Sequence, residues 1–566
     1  MPPFDKRWQI APPLTPEANS ELHGYPPLLR QILYNRGYAT RALARQFLEA
    51  HPQRNVAYPL DVDKATKRIL TALENNEIIA IYGDYDADGV TGTAMLTAAL
   101  KSLGGYVIAY IPDRIKEGYG LNLSAIKELH SKGVQLLISV DCGIRALGEV
   151  RAGNALGMDI IITDHHHPGP DLPAAYAIIN PKREDDPYPE KNLAGVGVAY
   201  KLLARLEDDK PQLRADNYLD LVAIGTVADL VPLIGENRVL VREGLRQLES
   251  PHRQGLMSLM GVARVQPDSV KATDIGFRLG PRINSAGRIS TARKALDLLL
   301  EKDVSKAGEM AQELEILNTK RQNITKELRE KAAKHAIATG EEIPYILFAF
   351  HPDFQQGVVG LTASSLVDLY YRPAIVGEQR DIFTTASCRS IPEFNIIESL
   401  DQCKSLLKQH GGHAAAAGFT ISNDNIPAFI MRMTQIAKKE LEGEQLRPTL
   451  HADAEVKLSD LGPKLLEQLS WLEPTGYGNS HAIFISYGVR VKSSRRIGKN
   501  GDHLKLKVTD GKITYEAIAF QLGEWQEKMP PEIDLLYAFE ENEFRGKKTL
   551  QLNIKDIKES QNVEAL

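Results

Sequence analysis

The stretch that decides the fold is Ile78–Thr93, IIAIYGDYDADGVTGT. A short apolar run (Ile78–Tyr82) meets three carboxylates, Asp84, Asp86 and Asp88, and then a segment, Val90–Leu103, with the Ala and Leu spacing of a helix. The first run suits a buried parallel strand, so the acids fall at a strand's carboxyl end. Open α/β sheets bind ligands in that crevice, and carboxylates so close together raise one another's pKa unless a cation neutralises them. The stretch therefore reads as a metal site in a solvated crevice. The competing reading is an acidic turn with Asp88 capping the helix.

Recurrence decides between them. YVIAYIP, SAIKELHSKG, VQLLISVDCG, a helical stretch over Arg145–Leu156 and MDIIITDHHH alternate strand and helix patterns, which predicts βαβ units and a parallel sheet. Leu136–Val140 delivers Asp141, Asp159–Thr163 delivers Asp164, His165 and His166, and the apolar run LDLVAIGTVADLVPL carries Asp229. Each element alone could be a cap or a polar loop; together they match a hydrolytic metal centre. Cleaving a phosphodiester requires neutralising charge on the transferring phosphate and making hydroxide near neutral pH. Two cations about 3.5–4 Å apart do both. Carboxylates with one or two imidazoles suit Mn²⁺ or Mg²⁺.

The remaining composition sets limits. A chain of 566 residues, 43% hydrophobic, holds about three to four domains. Lys and Arg total 68 against 73 acids, a net charge of -5, so any polyanion site has to be a local patch. Cys142, Cys388 and Cys403 form no CxxC pair and argue against a disulfide or zinc framework. The N-terminus lacks the apolar core of a signal peptide, and no apolar run reaches a membrane span of about 18 residues. A soluble, cytoplasmic protein is expected.

DYDADG, VDCG, TDHH and GTVADLVP, in this order, resemble the signatures of the DHH phosphoesterase family, and GGHAAAAGF at Gly411–Phe419 resembles that of its associated domain. EGYGLN at Glu117, NLAGVGVAYKL at Asn192 and GPRINSAGR at Gly280–Arg288 are similar to the RecJ-type, single-stranded-DNA-specific branch. The resemblance covers roughly residues 55–480. It implies Asp88, Asp141, His165 and Asp229 as ligands of one metal, with Asp141 bridging to a second held by Asp86. His166 would face the scissile phosphate. Pyrophosphatase relatives carry a histidine where this chain has Tyr82, so the second metal would either be weaker or borrow Asp84. Asp164 is left open between a ligand and a group that orients His165 or its loop.

The resemblance also implies that Arg114, Ser387 and Arg389 grip a 5′ end, that Arg282, Asn284 and Arg288 line the cleft, and that His413 contacts substrate. Family members read Trp-His where this chain has Phe354-Gln355, and Gly and His where it has Glu393 and Asn395. The implied activity is 5′-to-3′ degradation of single-stranded DNA to mononucleotides in repair and recombination, by a monomer working with a single-strand-binding protein and a helicase.

Outward from the catalytic segment, residues 1–55 read as a helical N-terminal lead-in and 56–302 as the catalytic domain. Within 303–340, Asp303–Ala338 contains no Pro and one Gly, Gly308, with apolar residues at helical spacing. That is a helix of about 54 Å, expected to hold two lobes apart, with Gly308 as its weak point. Residues 341–446 read as a second α/β lobe that binds substrate; Gly411 and Gly412 are expected at a helix start, where backbone amides meet a phosphate, and Arg389 adds a bidentate fork.

Residues 447–566 give at least five strand signals and predict an OB-like barrel. Its segment Arg490–Lys507 holds Arg490, Lys492, Arg495, Arg496, Lys499, Lys505 and Lys507 against one acid, Asp502, and is the expected nucleic-acid track.

No G-x-x-x-x-G-K-[ST] loop is present, and Gly195-Val-Gly197 lacks the third glycine of a dinucleotide fingerprint because Tyr200 stands there. Two alternatives stay in view. A phosphodiesterase for short oligonucleotides or cyclic dinucleotides would need neither the barrel nor the long helix. A non-catalytic DNA-binding replication scaffold would not need Asp86, Asp88, Asp141, His165 and Asp229 intact.

Overall fold

The computed structural model describes residues 5–49, 57–337, 342–544 and 547–560, and the chain divides into two units, Pro52–Leu446 and Met1–His51 with Arg447–Leu566. In the first unit five parallel strands lie in the order Tyr106–Tyr110, Ile78–Gly83, Val134–Val140, Asp159–Thr163, Ala177–Ile179. Alternate residues feed two cores. Ile79, Ile81, Ile138 and Ile161 pack on one face, and Ala80, Tyr82, Leu137 and Ile160 on the other. Burial on both faces is why these strands read as unbroken apolar runs.

Their carboxyl ends are flush: Gly83 pairs with Val140, Val140 with Thr163 and Thr163 with Ile179. The ladder continues one residue further, with the amides of Asp84, Asp141 and Asp164 donating to the carbonyls of Val140, Thr163 and Ile179. Four adjacent strands thus present Asp84, Asp141, Asp164 and Asn180 in one row.

The helix Val304–Ala336 runs through Gly308 without a break, so the expected weak point does not interrupt it. Its 33 residues span about 50 Å. It packs on Gln254–Ala263 and Gly280–Ile289 of the catalytic lobe and on Gln356–Tyr370 and Leu347–His351 of the second lobe, so it binds both lobes together. The lobes also touch directly. A Cβ on Gly357 would lie 2.2 Å from the carbonyl of Arg288, so only glycine permits that approach.

The second lobe is a five-stranded sheet in the order Leu407–His413, Ala416–Ser422, Phe383–Arg389, Ala374–Gln379, Leu347–His351, with only the last pair parallel. Gly411 and Gly412, expected at a helix start, instead end a strand whose hairpin pairs His413 with Ala416. The run of small residues there carries neither the β-branched nor the alternating pattern that would have marked it as strand. Of the four departures from the family pattern, Phe354 is a fully buried core residue, Gln355 is exposed just before a helix, Glu393 accepts the Tyr371 hydroxyl and Asn395 caps Ile396–Gln402. All four have local structural partners or positions.

In the other unit the strands Phe484–Ile497, His503–Thr509, Thr514–Ala519, Lys547–Glu559 and Glu532–Phe544 follow one another, and the first pairs with the last to close a barrel. The N-terminal segment is helical at Pro16–Glu21, Pro27–Asn35 and Arg41–Glu49. Leu29, Ile32, Leu33 and Phe47 share the barrel's core, and Arg7–Ile10 adds a strand beside Thr449–Ala452. Among the described residues no helix is long and apolar enough to cross a membrane.

Candidate metal centre

The row of strand-end residues is completed from two helices. Asp88 lies in the first turn of Ala87–Ser102, and Asp229 caps the end of Leu219–Ala228. The Nε2 atom of His165 lies 3.1 Å from Asp141, 3.5 Å from Asp229 and 3.9 Å from Asp88. Three sets could each hold a cation, with ligand atoms within 4.8 Å of one another: Asp88, His165 and Asp229; Asp84, Asp86 and Asp141; Asp141, His165 and His166. Asp141 is shared by the last two, and it lies beside His165 of the first.

The expectation of a solvated crevice is corrected for most of the group. Asp84, Asp88, Asp141 and His165 are all buried. Asp84 Oδ1, Asp141 Oδ1 and His165 Nε2 are enclosed without a hydrogen-bond partner, a costly state that a divalent cation relieves. The donor set, carboxylate oxygen with imidazole nitrogen, fits Mn²⁺ or Mg²⁺.

Electrostatics agree. Burial, and then Asp86, push the Asp88 carboxyl up to about 7 against the pull of two backbone amides. Burial followed by neighbouring aspartates also raises Asp84, Asp141 and Asp229, while burial lowers His165 to about 3. An unfolded aspartate titrates near ~3.9, so the cation-free fold holds more protons than the unfolded chain between about pH 4 and 7. It therefore loses stability as pH rises through that window. A cation takes the protons' place. The gap in Tm between Mn²⁺-loaded and cation-free protein should widen from pH 5 to pH 8, measured by calorimetry; a gap that narrows would contradict the shared site.

The structure redistributes several roles. Asp86, not Asp88, caps the helix, accepting from the amides of Asp88 and Gly89. Asp88 instead accepts from Gly195 and Val196 at 2.6 and 2.7 Å, and a Cβ on Gly195 would lie 2.6 Å from that of Asp141. Asp164 has no free oxygen for a cation. It accepts from the amides of Ile144, His165 and His166 and holds His166 Nδ1 at 2.8 Å, so the imidazole it orients is that of His166. Tyr82 turns to the far face of the sheet, where its hydroxyl donates to Gly120, which leaves Asp84 beside Asp86. Tyr119, which sequence reasoning missed within EGYGLN, has its hydroxyl 3.3 Å from the Asp141 carbonyl and 3.2 Å from His166 Nδ1.

The basic residues fall into two groups. Arg114 lies over the ring of Tyr85, Arg288 reaches the Gly357 carbonyl, and Arg389 reaches that of Cys388. Ser387 and Arg389 converge over Gly360, whose Cβ would lie 3.6 and 3.1 Å from them. Burial, and then Arg114, lower Arg288 to about 10 and also lower Arg389, so the three guanidiniums lie within one another's field. None forms an ion pair within 4 Å among the described residues, which is costly unless an anion joins them. Arg282 is committed to Glu315 on the long helix, and Asn284 accepts from the Ala87 amide, locking the aspartate loop. His413, exposed at the hairpin tip, stands 5.9 Å from His167, ring to ring.

In the barrel unit, Arg490, Arg496 and Lys505 pair with Glu532, Glu527 and Glu516. Lys492, Arg495, Lys499 and Lys507 form no ion pair among the described residues, and all four are exposed.

Comparison with known proteins identifies the lineage. Residues 78–226 match the DHH family N-terminal domain, 342–439 the DHHA1 domain and 452–556 the RecJ OB domain. The chain is 38% identical to the single-stranded-DNA-specific exonuclease RecJ of Bacillus subtilis strain 168, over 97% of this chain and 70% of that one. The chain belongs to the RecJ family. Its likeness to the Escherichia coli K12 RecJ is 33% over 94% of this chain and 96% of that one. Two solved RecJ structures from Thermus thermophilus, in complex with Mn²⁺ and Mg²⁺, superpose with TM-scores of 0.84 and 0.76 at 29% and 28% identity. Each covers 98% of this chain, and the chain covers 80% and 79% of theirs.

Proposed function

We propose that this RecJ-family chain is a metal-dependent exonuclease that degrades single-stranded DNA from the 5′ end to mononucleotides. The observation that carries the reading is the buried row of Asp84 and Asp141 beside His165, with oxygens and a nitrogen that no protein hydrogen bond satisfies. Asp88, Asp141, His165 and Asp229 would hold one cation, and Asp84, Asp86 and Asp141 the second. Two such cations supply charge neutralisation and hydroxide.

The chain's own groups do the rest. The hydrogen bond to Asp164 fixes His166 Nδ1 and leaves Nε2 for a phosphate oxygen. Burial opposes its protonation, but Asp164 outweighs burial and raises the imidazole pKa, which favours the charged form. Arg114, Ser387 and Arg389 would grip a terminal phosphate, and Arg288 adds charge between the lobes. The Gly195 and Val196 amides keep Asp88 in place while the phosphate moves. The same reading places the enzyme in the cytoplasm as a monomer, on strands that a helicase exposes and a single-strand-binding protein covers.

Cation-free protein and protein with Mn²⁺ should be given one sequence as a single strand and as a blunt duplex. Nucleotide release is expected only from the single strand and only with the cation. Equal release from the duplex would remove the strand specificity.

The exposed basic residues of the barrel would contribute affinity through counterion release. Replacing Lys492, Arg495, Lys499 and Lys507 by Gln should lower the slope of log Kobs against log salt by about 2 to 3 for a long single strand. An unchanged slope, read by fluorescence anisotropy, would exclude these residues from the DNA path.

A further inference from the structure

Between the strand end at Ile179 and the metal centre lies a lysine that the proposed chemistry does not use. Asn180, fully buried, donates to the His166 carbonyl at 2.8 Å and accepts from the Lys182 amide at 2.9 Å, which fixes the backbone of Lys182 beside the histidine loop. Its ammonium is half-buried and forms no ion pair or hydrogen bond among the described residues, although Asp229 and Asp164 lie within its field. Burial lowers its pKa, and its charge reaches His167 and His413.

Arg145 approaches the same point from the loop after Val134–Val140, with Nε donating to the His167 carbonyl at 2.9 Å. His413 comes from the second lobe, 5.9 Å from His167. Three loops of one sheet and one hairpin of the other thus bring Lys182, Arg145, His167 and His413 together next to the histidine loop of the centre. The charge of Arg114 acts on Asp84 and that of Asp86 on Arg288, so a second group of cations acts on the metal-binding row.

Successive phosphates of a single strand lie one nucleotide apart, so each needs its own contact along the cleft. A strand whose 5′ phosphate sits with Arg389 and whose scissile phosphate sits at the metals must carry its next phosphate beyond them. We propose that Lys182 and Arg145, with His413, hold the phosphodiester on the 3′ side of the scissile bond. This rests on the exonuclease reading. It makes Lys182 a substrate-binding residue that registers the strand, so that cleavage falls one nucleotide from the end.

The test compares a 5′-phosphorylated dinucleotide, which lacks that phosphate, with the matching trinucleotide, which has it. The parent should prefer the trinucleotide. In Lys182→Ala the ratio of kcat/KM for trinucleotide over dinucleotide should fall about tenfold, chiefly through KM, while Lys182→Arg should hold the parent ratio. In an Asp141→Asn background, anisotropy should show the same selective loss of trinucleotide affinity. Equal losses on both substrates would overturn the inference, assigning Lys182 to the scissile phosphate or to the fold. A parent that cleaves neither substrate would overturn the exonuclease reading, and this inference with it.

Discussion

Asp141→Asn should abolish hydrolysis, with a loss on the order of 10³-fold or more, and leave the fold intact. Asp141 belongs to the set with Asp84 and Asp86 and lies 3.1 Å from His165 of the set with Asp88 and Asp229, so its replacement touches both proposed cation positions. Asn is the informative substitution because Asp141 sits in the left-handed region at φ 62, which Asn tolerates and Ala does not. Asp141 is also buried, with its amide bonded to Thr163, so truncation to Ala would leave a cavity and confuse the result. Removing one acid from a buried group of acids lowers their mutual repulsion. Cation-free Asp141→Asn should therefore melt no lower than the parent while its Mn²⁺-induced rise in Tm shrinks. Parental turnover under Mn²⁺ would refute the shared ligand.

Arg389→Ala should cost roughly 1.5 to 3 kcal/mol of preference for 5′-phosphorylated over 5′-hydroxyl ends, about 10- to 150-fold in kcat/KM. Arg389 is held by the Cys388 carbonyl through one terminal nitrogen and points its other toward Gly360 beside Ser387. Arg114 and Arg288 already repel it, and a terminal phosphate relieves all three. Competition kinetics on the two end types measures the ratio. An unchanged ratio would move the 5′ phosphate elsewhere.

The aspartate row was legible because each acid directly follows an apolar strand, and flush strand ends convert that local pattern into a shared site. His165 was legible for the same reason, and Asp229 because it closes an apolar helical run, Leu219–Ala228. Which acid caps the helix was not legible, because Asp86 and Asp88 stand two residues apart and only the helix at Gly195, more than a hundred residues on, claims Asp88 for itself. Asn284 holding the Ala87 amide and Asn180 holding that of Lys182 are tertiary and loop facts with no periodic signal. The strand Arg7–Ile10 was invisible because its partner, Thr449–Ala452, lies at the other end of the chain. The GGH hairpin was missed because small residues carry no strand pattern. The long helix was legible in length and place, while its grip on both lobes depends on what packs against it.

The most direct measurement follows one single strand labelled at either end, incubated with the protein and Mn²⁺ and sampled before the strand is consumed. Labelled mononucleotide should appear at once from the 5′-labelled strand. The 3′-labelled strand should shorten stepwise and release its label last. Early release of the 3′ label, or internal fragments that carry either label, would contradict the account.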